Sequence, residues 1–84
     1  MHSDYNRMWH YIAEQVKDNP LLIYRYDVAI AARDVGVSRK TILKWVRMLE
    51  NLGVIKPVRH LDTRHPTAYH VNPGYLALHQ SRST

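Results

Sequence analysis

The feature that most constrains the fold is the stretch of residues 31–55, AARDVGVSRKTILKWVRMLENLGVI. In it, apolar residues recur at helical spacing between a residue that can start a helix and one that can end it. Ser38 is of a type that caps helix N-termini, and Gly53 stands where helices commonly end in the left-handed conformation. At about 100° per residue, the apolar and basic residues between them fall on opposite sides of one helix, over about residues 38–52. The apolar stripe consists of Ile42, Trp45, Val46, Leu49 and Leu52, and the opposite side holds Lys40, Lys44, Arg47 and Asn51.

A tight turn is predicted in front of this helix. Ala32 is small enough to let a neighbouring helix cross closely, and Gly36 can supply the positive φ that a tight turn needs. The family pattern of helix-turn-helix proteins is a small residue, a Gly four later, and apolar residues six and nine beyond that Gly. Ala32, Gly36, Ile42 and Trp45 match it, so the chain resembles the helix-turn-helix family.

The end of the stretch makes the resemblance more specific. The run RMLENLGVI, residues 47–55, is similar to the exit of the recognition helix in winged-helix domains, where a Leu-rich turn and a Gly lead into the first wing strand. The resemblance covers about residues 27–73 and implies an α+β, mainly α fold. That fold is a winged helix-turn-helix with a three-helix core, a β-hairpin wing and a short C-terminal helix. The run YHVNPGYL, residues 69–76, looks like the ending of winged-helix domains in plasmid and phage replication proteins.

The elements in front of the turn follow from apolar spacing and end signals. Apolar residues recur at three- and four-residue spacing over about residues 4–17, which predicts a first helix that Pro20 brings to an end. The run LLIY, residues 21–24, predicts a short strand. Asp27 is a suitable N-cap for a second helix over about residues 27–35.

After Gly53 the pattern becomes β-prone. Two such runs, over about residues 54–60 and 67–72, are separated by LDTRHP, which predicts a hairpin with a loop of about six residues. Pro57 cannot donate to a sheet ladder, so it indicates an edge position or a bulge. In the tail, residues 73–84, one or two helical turns are expected to dock on the first helix through Tyr75, Leu76 and Leu78.

Composition limits the class of protein. The chain has 84 residues, 12 Lys and Arg against 7 Asp and Glu, and a formal net charge of +5, which favours a polyanionic partner. Its length fits one small domain over residues 1–84. The longest apolar run is far shorter than the roughly 20 residues of a membrane span, and MHSDYNRMWH lacks the apolar region of a signal peptide. We therefore expect no membrane partner and a place in the bacterial cytoplasm or nucleoid.

Metal and cofactor sites are not predicted. The chain has no Cys, which excludes thiolate ligands. His60, His65 and His70 recur every five residues with Asp62 among them, but this spacing matches no defined ligand motif. We expect them to be polar residues of the wing.

Catalysis is not predicted either. The sequence has no Gly-rich phosphate loop and no nucleophile elbow. Asp27, Asp34 and Glu50 are expected on separate helix surfaces, so no carboxylate pair forms. We expect a non-enzyme without a small-molecule substrate.

The resemblance implies a DNA-binding surface on the helix over residues 39–52. The major groove of B-form DNA admits one α-helix, whose long side chains reach base edges. Arg39 and Lys40 are expected at base edges, and Leu43 at a thymine methyl group. Thr41, Lys44, Arg47 and Arg64 suit phosphate contacts. The whole predicted set is Ser38, Arg39, Lys40, Thr41, Leu43, Lys44, Arg47, Arg59, Arg64 and His65.

Two classes of function remain open. One is sequence-specific binding of double-stranded DNA, by a small transcriptional regulator or by a factor for plasmid or phage replication initiation or partition. The other is a winged helix used as a protein-interaction or RNA-binding module. The basic helix face favours DNA. A homodimer formed through the first helix and the tail would read half-sites about one turn apart.

Overall fold

The chain folds into a small α+β domain that is mainly helical. The computed structural model describes residues 5–58 and 68–82, and the following bounds refer to them. The elements are α1 (Tyr5–Val16), β1 (Ile23–Arg25), α2 (Val28–Val35), α3 (Arg39–Asn51), β2 (Ile55–Pro57), β3 (Ala68–Val71) and α4 (Pro73–Arg82). The three strands form one antiparallel sheet in the order β1-β3-β2.

Local signals set the ends of α2 and α3, and these predictions are confirmed. The Asp27 carboxylate accepts hydrogen bonds from the backbone N–H groups of Ala29 and Ile30. The Ser38 hydroxyl accepts one from the Thr41 N–H at 3.2 Å. Gly36 ends α2 with a φ of 83°, and Gly53 follows α3 with a φ of 79°. Both are in the left-handed region that glycine adopts at little cost.

Strand pairing gives the sheet one buried and one exposed side. On β3, Tyr69 pairs with Tyr24 of β1 and with Pro57 of β2. Tyr24 and Tyr69 are buried, whereas the next residue of β3, His70, is exposed. Pro57 lies on the edge strand β2, where its missing N–H costs no ladder bond.

The core forms where α1, α3 and the inner side of the sheet meet. α3 buries one side against α1, while Ala31 and Ala32 of α2 are small and buried, so α2 packs closely. The largest fully buried side chains are Met8, Ile12, Val16, Ile42, Leu49 and Ile55.

The predicted apolar pattern is wrong at the end of α3 and at the start of the first strand. Leu52 is 51% exposed, because α3 ends at Asn51 and Leu52 lies beyond its last turn, while Val54 and Ile55 after the turn at Gly53 are buried instead. The first strand does not include Leu21 and Leu22. Leu21 is exposed, and Leu22 has a φ of 53° in a turn closed by its N–H bond to the Asn19 carbonyl at 3.0 Å.

The tail also differs from its prediction. α4 runs for ten residues rather than one or two turns. Of the three residues expected to dock, Leu76 is buried, whereas Tyr75 is 41% and Leu78 is 60% exposed. A single apolar residue therefore anchors the first turns of α4.

Part of the predicted hairpin lies outside the described residues. The described strands are shorter than predicted, and Arg59, Arg64 and His65 fall in residues 59–67. The predicted start of the first helix at residue 4 is also outside them. Among the described residues, no helix has the length and apolar character needed to cross a membrane.

We expect Gly36→Ala to lower the free energy of unfolding by about 1 kcal/mol, because alanine pays for the left-handed conformation that glycine adopts freely. A Cβ at this position meets no atom within 4 Å, so the cost is conformational rather than steric. Gly36→Asn should cost less, since asparagine tolerates this region. Urea unfolding of the wild type and the two variants measures the order of their stabilities. An alanine variant as stable as the wild type would contradict the prediction.

Candidate nucleic-acid interface

The outward side of α3 carries the described part of the predicted binding set. Arg39, Lys40, Lys44 and Arg47 are exposed, and so are Ser38 and Leu43. Thr41 is half-buried. This distribution follows from burial, because Ile42, Trp45, Val46 and Leu49 occupy the other side of the helix.

The cations of α3 have no ion-pair partner among the described residues. The ion pairs between described side chains join Lys17 to Glu14 at 3.2 Å and Arg33 to Asp34 at 3.3 Å, both away from α3. Among residues 5–58 and 68–82, no carboxylate oxygen lies within 4.0 Å of an α3 cation. The positive charges of α3 therefore face solvent and are available to an external anion.

Ser38 and Thr41 act on the helix itself. Their hydroxyl oxygens are 2.9 Å apart and hydrogen-bonded, and Ser38 also caps α3 through the Thr41 N–H. Both side chains thus fix where α3 begins. The free N–H groups of a helix start give that end a partial positive charge, which favours an anion there.

The predicted set omitted Asn51. Lys40, Lys44, Arg47 and Asn51 have the spacing of one continuous row along an α-helix, and all four are exposed. The side chain of asparagine can make paired hydrogen bonds to adenine in the major groove. The spacing that groups Asn51 with the lysines was visible in the sequence, whereas its exposure at the end of α3 depends on the fold.

A groove runs along one flank of α3. It has a volume of about 890 Å³ and is bounded by α3, by the start of α2 and by Tyr69 of β3. Asp27 and Glu50 both line it, so their predicted placement on separate surfaces is wrong. The tight turn at Gly36 folds α2 back beside α3, which brings the start of α2 close to the end of α3. These acids lie beside Arg47 and make this flank less cationic than the central row.

Arg7 holds the three helices together, a role that the sequence pattern did not reveal. Its Nη2 group donates a 2.7 Å hydrogen bond to the Val35 carbonyl at the end of α2. Its guanidinium carbon lies 6.0 Å from the centre of the Trp45 ring of α3, within the range of a cation–π contact. One side chain of α1 therefore contacts both helices that flank the turn.

Four tyrosines form a chain of ring contacts, of which Tyr26 and Tyr69 line the groove. Tyr24 lies 6.1 Å from Tyr11 and 6.2 Å from Tyr26, and Tyr26 lies 5.5 Å from Tyr69, between ring centres. Burial raises the pKa of Tyr24, and burial with the nearby Glu50 charge raises the pKa of Tyr69 to about 12. The hydroxyl of Tyr26 is buried without a hydrogen-bond partner among the described residues.

Among the described residues, no group of three or more His, Cys, Asp or Glu side chains could hold a metal ion. His70 is exposed on the sheet, and His60 and His65 lie outside the described residues.

No protein-family model, curated protein or solved structure matches the chain. The charge and geometry of its own residues are therefore the basis for assigning it a function.

We expect Tyr26→Phe not to lower the stability of the domain and Tyr11→Phe to lower it. The first substitution removes a buried hydroxyl that has no partner, and should leave the free energy of unfolding unchanged or raise it by up to about 1 kcal/mol. The second substitution removes the 2.9 Å hydrogen bond that the Tyr11 hydroxyl donates to Asp34. It should lower the free energy of unfolding by about 0.5–1 kcal/mol. Urea unfolding checks both, and a loss in Tyr26→Phe as large as in Tyr11→Phe would refute the assignment.

Stability should fall at alkaline pH. The unfolded chain loses tyrosine protons near the ordinary pKa of 10.0, whereas folded Tyr69 keeps its proton up to about 12. In this window the unfolded state binds fewer protons, so the free energy of unfolding decreases as the pH rises. Tyr69→Phe should make the decline shallower by up to about 1.4 kcal/mol per pH unit. Equal slopes in the two proteins, measured by urea unfolding across the window, would contradict the burial of this hydroxyl.

Proposed function

We propose that the chain is a winged helix-turn-helix domain that binds double-stranded DNA sequence-specifically, with α3 as the recognition helix. The element order supports this fold, since α2 and α3 are consecutive helices joined by a tight turn at Gly36. β2 and β3 pair directly as antiparallel neighbours, as the two strands of a wing would.

One observation carries the DNA proposal. α3 buries one side in the core and presents four cations, none neutralised by a described carboxylate, on the other side. A helix of this kind fits the width of the major groove and has both phosphate contacts and base-reading side chains.

The proposed roles divide along the helix. Arg39 and Lys40, in the first turn, read base edges, and Leu43 contacts a thymine methyl group. Lys44 binds phosphate, and Asn51 joins the same row nearer the C-terminus.

Arg47 is a further phosphate contact. Thr41 is another, near the capped start of α3. The acids of the groove flank, Asp27 and Glu50, disfavour phosphate on that side. The duplex would therefore follow the central row of α3. The wing contacts assigned to Arg59, Arg64 and His65 remain predictions outside the described residues.

In this proposal the chain is a small regulator of transcription or a site-binding factor for replication or partition, in the bacterial cytoplasm or nucleoid. It acts without catalysis, metal or cofactor. A homodimer would place two α3 helices on half-sites about one turn apart.

A protein-interaction module is the second candidate. The observation that favours it is a groove of about 650 Å³ between α1, α4 and the end of α3. The described residues that line it include no Lys, Arg, Asp or Glu, and they include the exposed Leu52 and Leu78. Uncharged surfaces with aromatic residues are typical of the centres of protein interfaces.

Selection from a random duplex library, read by sequencing, tests the DNA proposal. Wild-type protein should recover a motif, and Lys40→Ala/Lys44→Ala should lose it. Lys17→Ala/Arg33→Ala removes the same charge from the residue after α1 and from α2, and should keep the motif. Loss of the motif in this control as well would reject a specific role for α3, and absence of binding by the wild type would favour the protein-interaction module.

Two single substitutions separate phosphate contacts from base contacts. Lys44→Ala should weaken binding to all sequences and reduce the slope of log affinity against log salt by about 1. Arg39→Ala should relax the preference at one base pair, at a cost of about 1–3 kcal/mol. Titrations of the selected duplex and its single-base variants at several salt concentrations measure both effects. Unchanged discrimination in Arg39→Ala would remove this residue from the base-reading set.

A further inference from the structure

The ionisable residues of the sheet, apart from tyrosines, are all of the cationic type. They are Arg25 on β1, Lys56 on β2 and His70 on β3. The described acids lie elsewhere: Glu14, Asp18, Asp27, Asp34 and Glu50 belong to the helices or to the residues that flank them.

Strand register places the three residues on one face. Lys56 pairs directly with His70, and Arg25 pairs with Ala68, which lies two residues before His70 on the same side of β3. All three are exposed. Since β1 and β2 flank β3, the face extends over two strand spacings, about 10 Å.

This face points away from α3. Tyr69 lies on the inner side of β3 and lines the groove beside α3. Successive strand residues point to opposite sides of a sheet, so His70 is directed away from that groove. The cationic surfaces of α3 and of the sheet are therefore separate.

The positive charge of the sheet face is not balanced locally. No carboxylate among the described residues lies within 4.0 Å of Arg25 or Lys56. An anion bound across the face would be attracted to Arg25 and Lys56 together.

We propose that the outward face of the sheet, Arg25, Lys56 and His70, is a second phosphate-binding surface for the backbone of a second DNA segment. The proposal rests on DNA binding by α3 and adds a site for another duplex. At about 3.4 Å of helix axis per phosphate along one strand, a face of about 10 Å spans about three phosphates. The contacts are to the backbone, so binding at this face is independent of sequence.

A bridging experiment with matched variants tests the second surface. One duplex that carries the selected motif is immobilised, and a labelled duplex of unrelated sequence is added with the protein. The sheet variant is Arg25→Gln/Lys56→Gln, the helix variant is Lys40→Gln/Lys44→Gln, and the control with equal loss of charge is Lys17→Gln/Arg33→Gln. Thermal unfolding first checks that each variant is folded, as expected for exposed positions.

The wild type and the control should capture the labelled duplex on the immobilised one. The sheet variant should bind the motif but lose capture, and the slope of log affinity for unrelated duplex against log salt should fall by about 2. The helix variant should lose the motif and keep salt-dependent binding to unrelated duplex.

The outcomes separate the two proposals. A sheet variant that captures like the wild type would overturn the second surface and leave α3 binding intact. A helix variant that keeps the motif would overturn the assignment of α3 but not the sheet face. A wild type that binds the motif without capturing a second duplex would overturn the second-segment proposal.

Discussion

The burial of one side of α3 against α1 and the sheet is the interaction on which the rest of the structure depends. Ile42 and Leu49 are almost fully buried, as are Met8 and Ile12 of α1. Burial of each large apolar side chain stabilises the fold by roughly 1.5–3 kcal/mol. The sum is enough to hold α3 in one orientation about its axis. Its rotation is thereby fixed, and the four cations face outward because the apolar side cannot leave the core.

Charge is distributed differently on α1 and α2 than on α3 and the outward face of the sheet. On α1 and α2, acids and bases lie close together, as in the pairs of Lys17 with Glu14 and Arg33 with Asp34. The cations of α3 and of the outward sheet face have no such partners among the described residues. Exposed charges contribute little to stability, so substitutions there can test binding without unfolding the domain. Arg7 is the exception, because its guanidinium contacts both Val35 and Trp45.

The flank of α3 shows how folding modifies a surface that is simple in the sequence. The sequence of α3 alone predicts a cationic outward side. Folding α2 back at Gly36 brings Asp27 to the same groove as Glu50 and Tyr69, and Glu50 contributes to the raised pKa of Tyr69. One flank of α3 therefore carries negative charge, and the central row of Lys40, Lys44 and Arg47 remains positive.

The sequence by itself determined the parts that depend on neighbouring residues: the caps at Asp27 and Ser38, the left-handed turn at Gly36, and the split of α3 into apolar and basic sides. These follow from local hydrogen bonds and backbone angles. Only the tertiary structure decided the features that join distant residues. They are the contact of Arg7 with Val35 and Trp45, the acids beside α3, the exposure of Leu78, and the register that places Arg25, Lys56 and His70 on one face. These features arise because segments far apart in the chain pack together, and a local sequence pattern does not specify that packing.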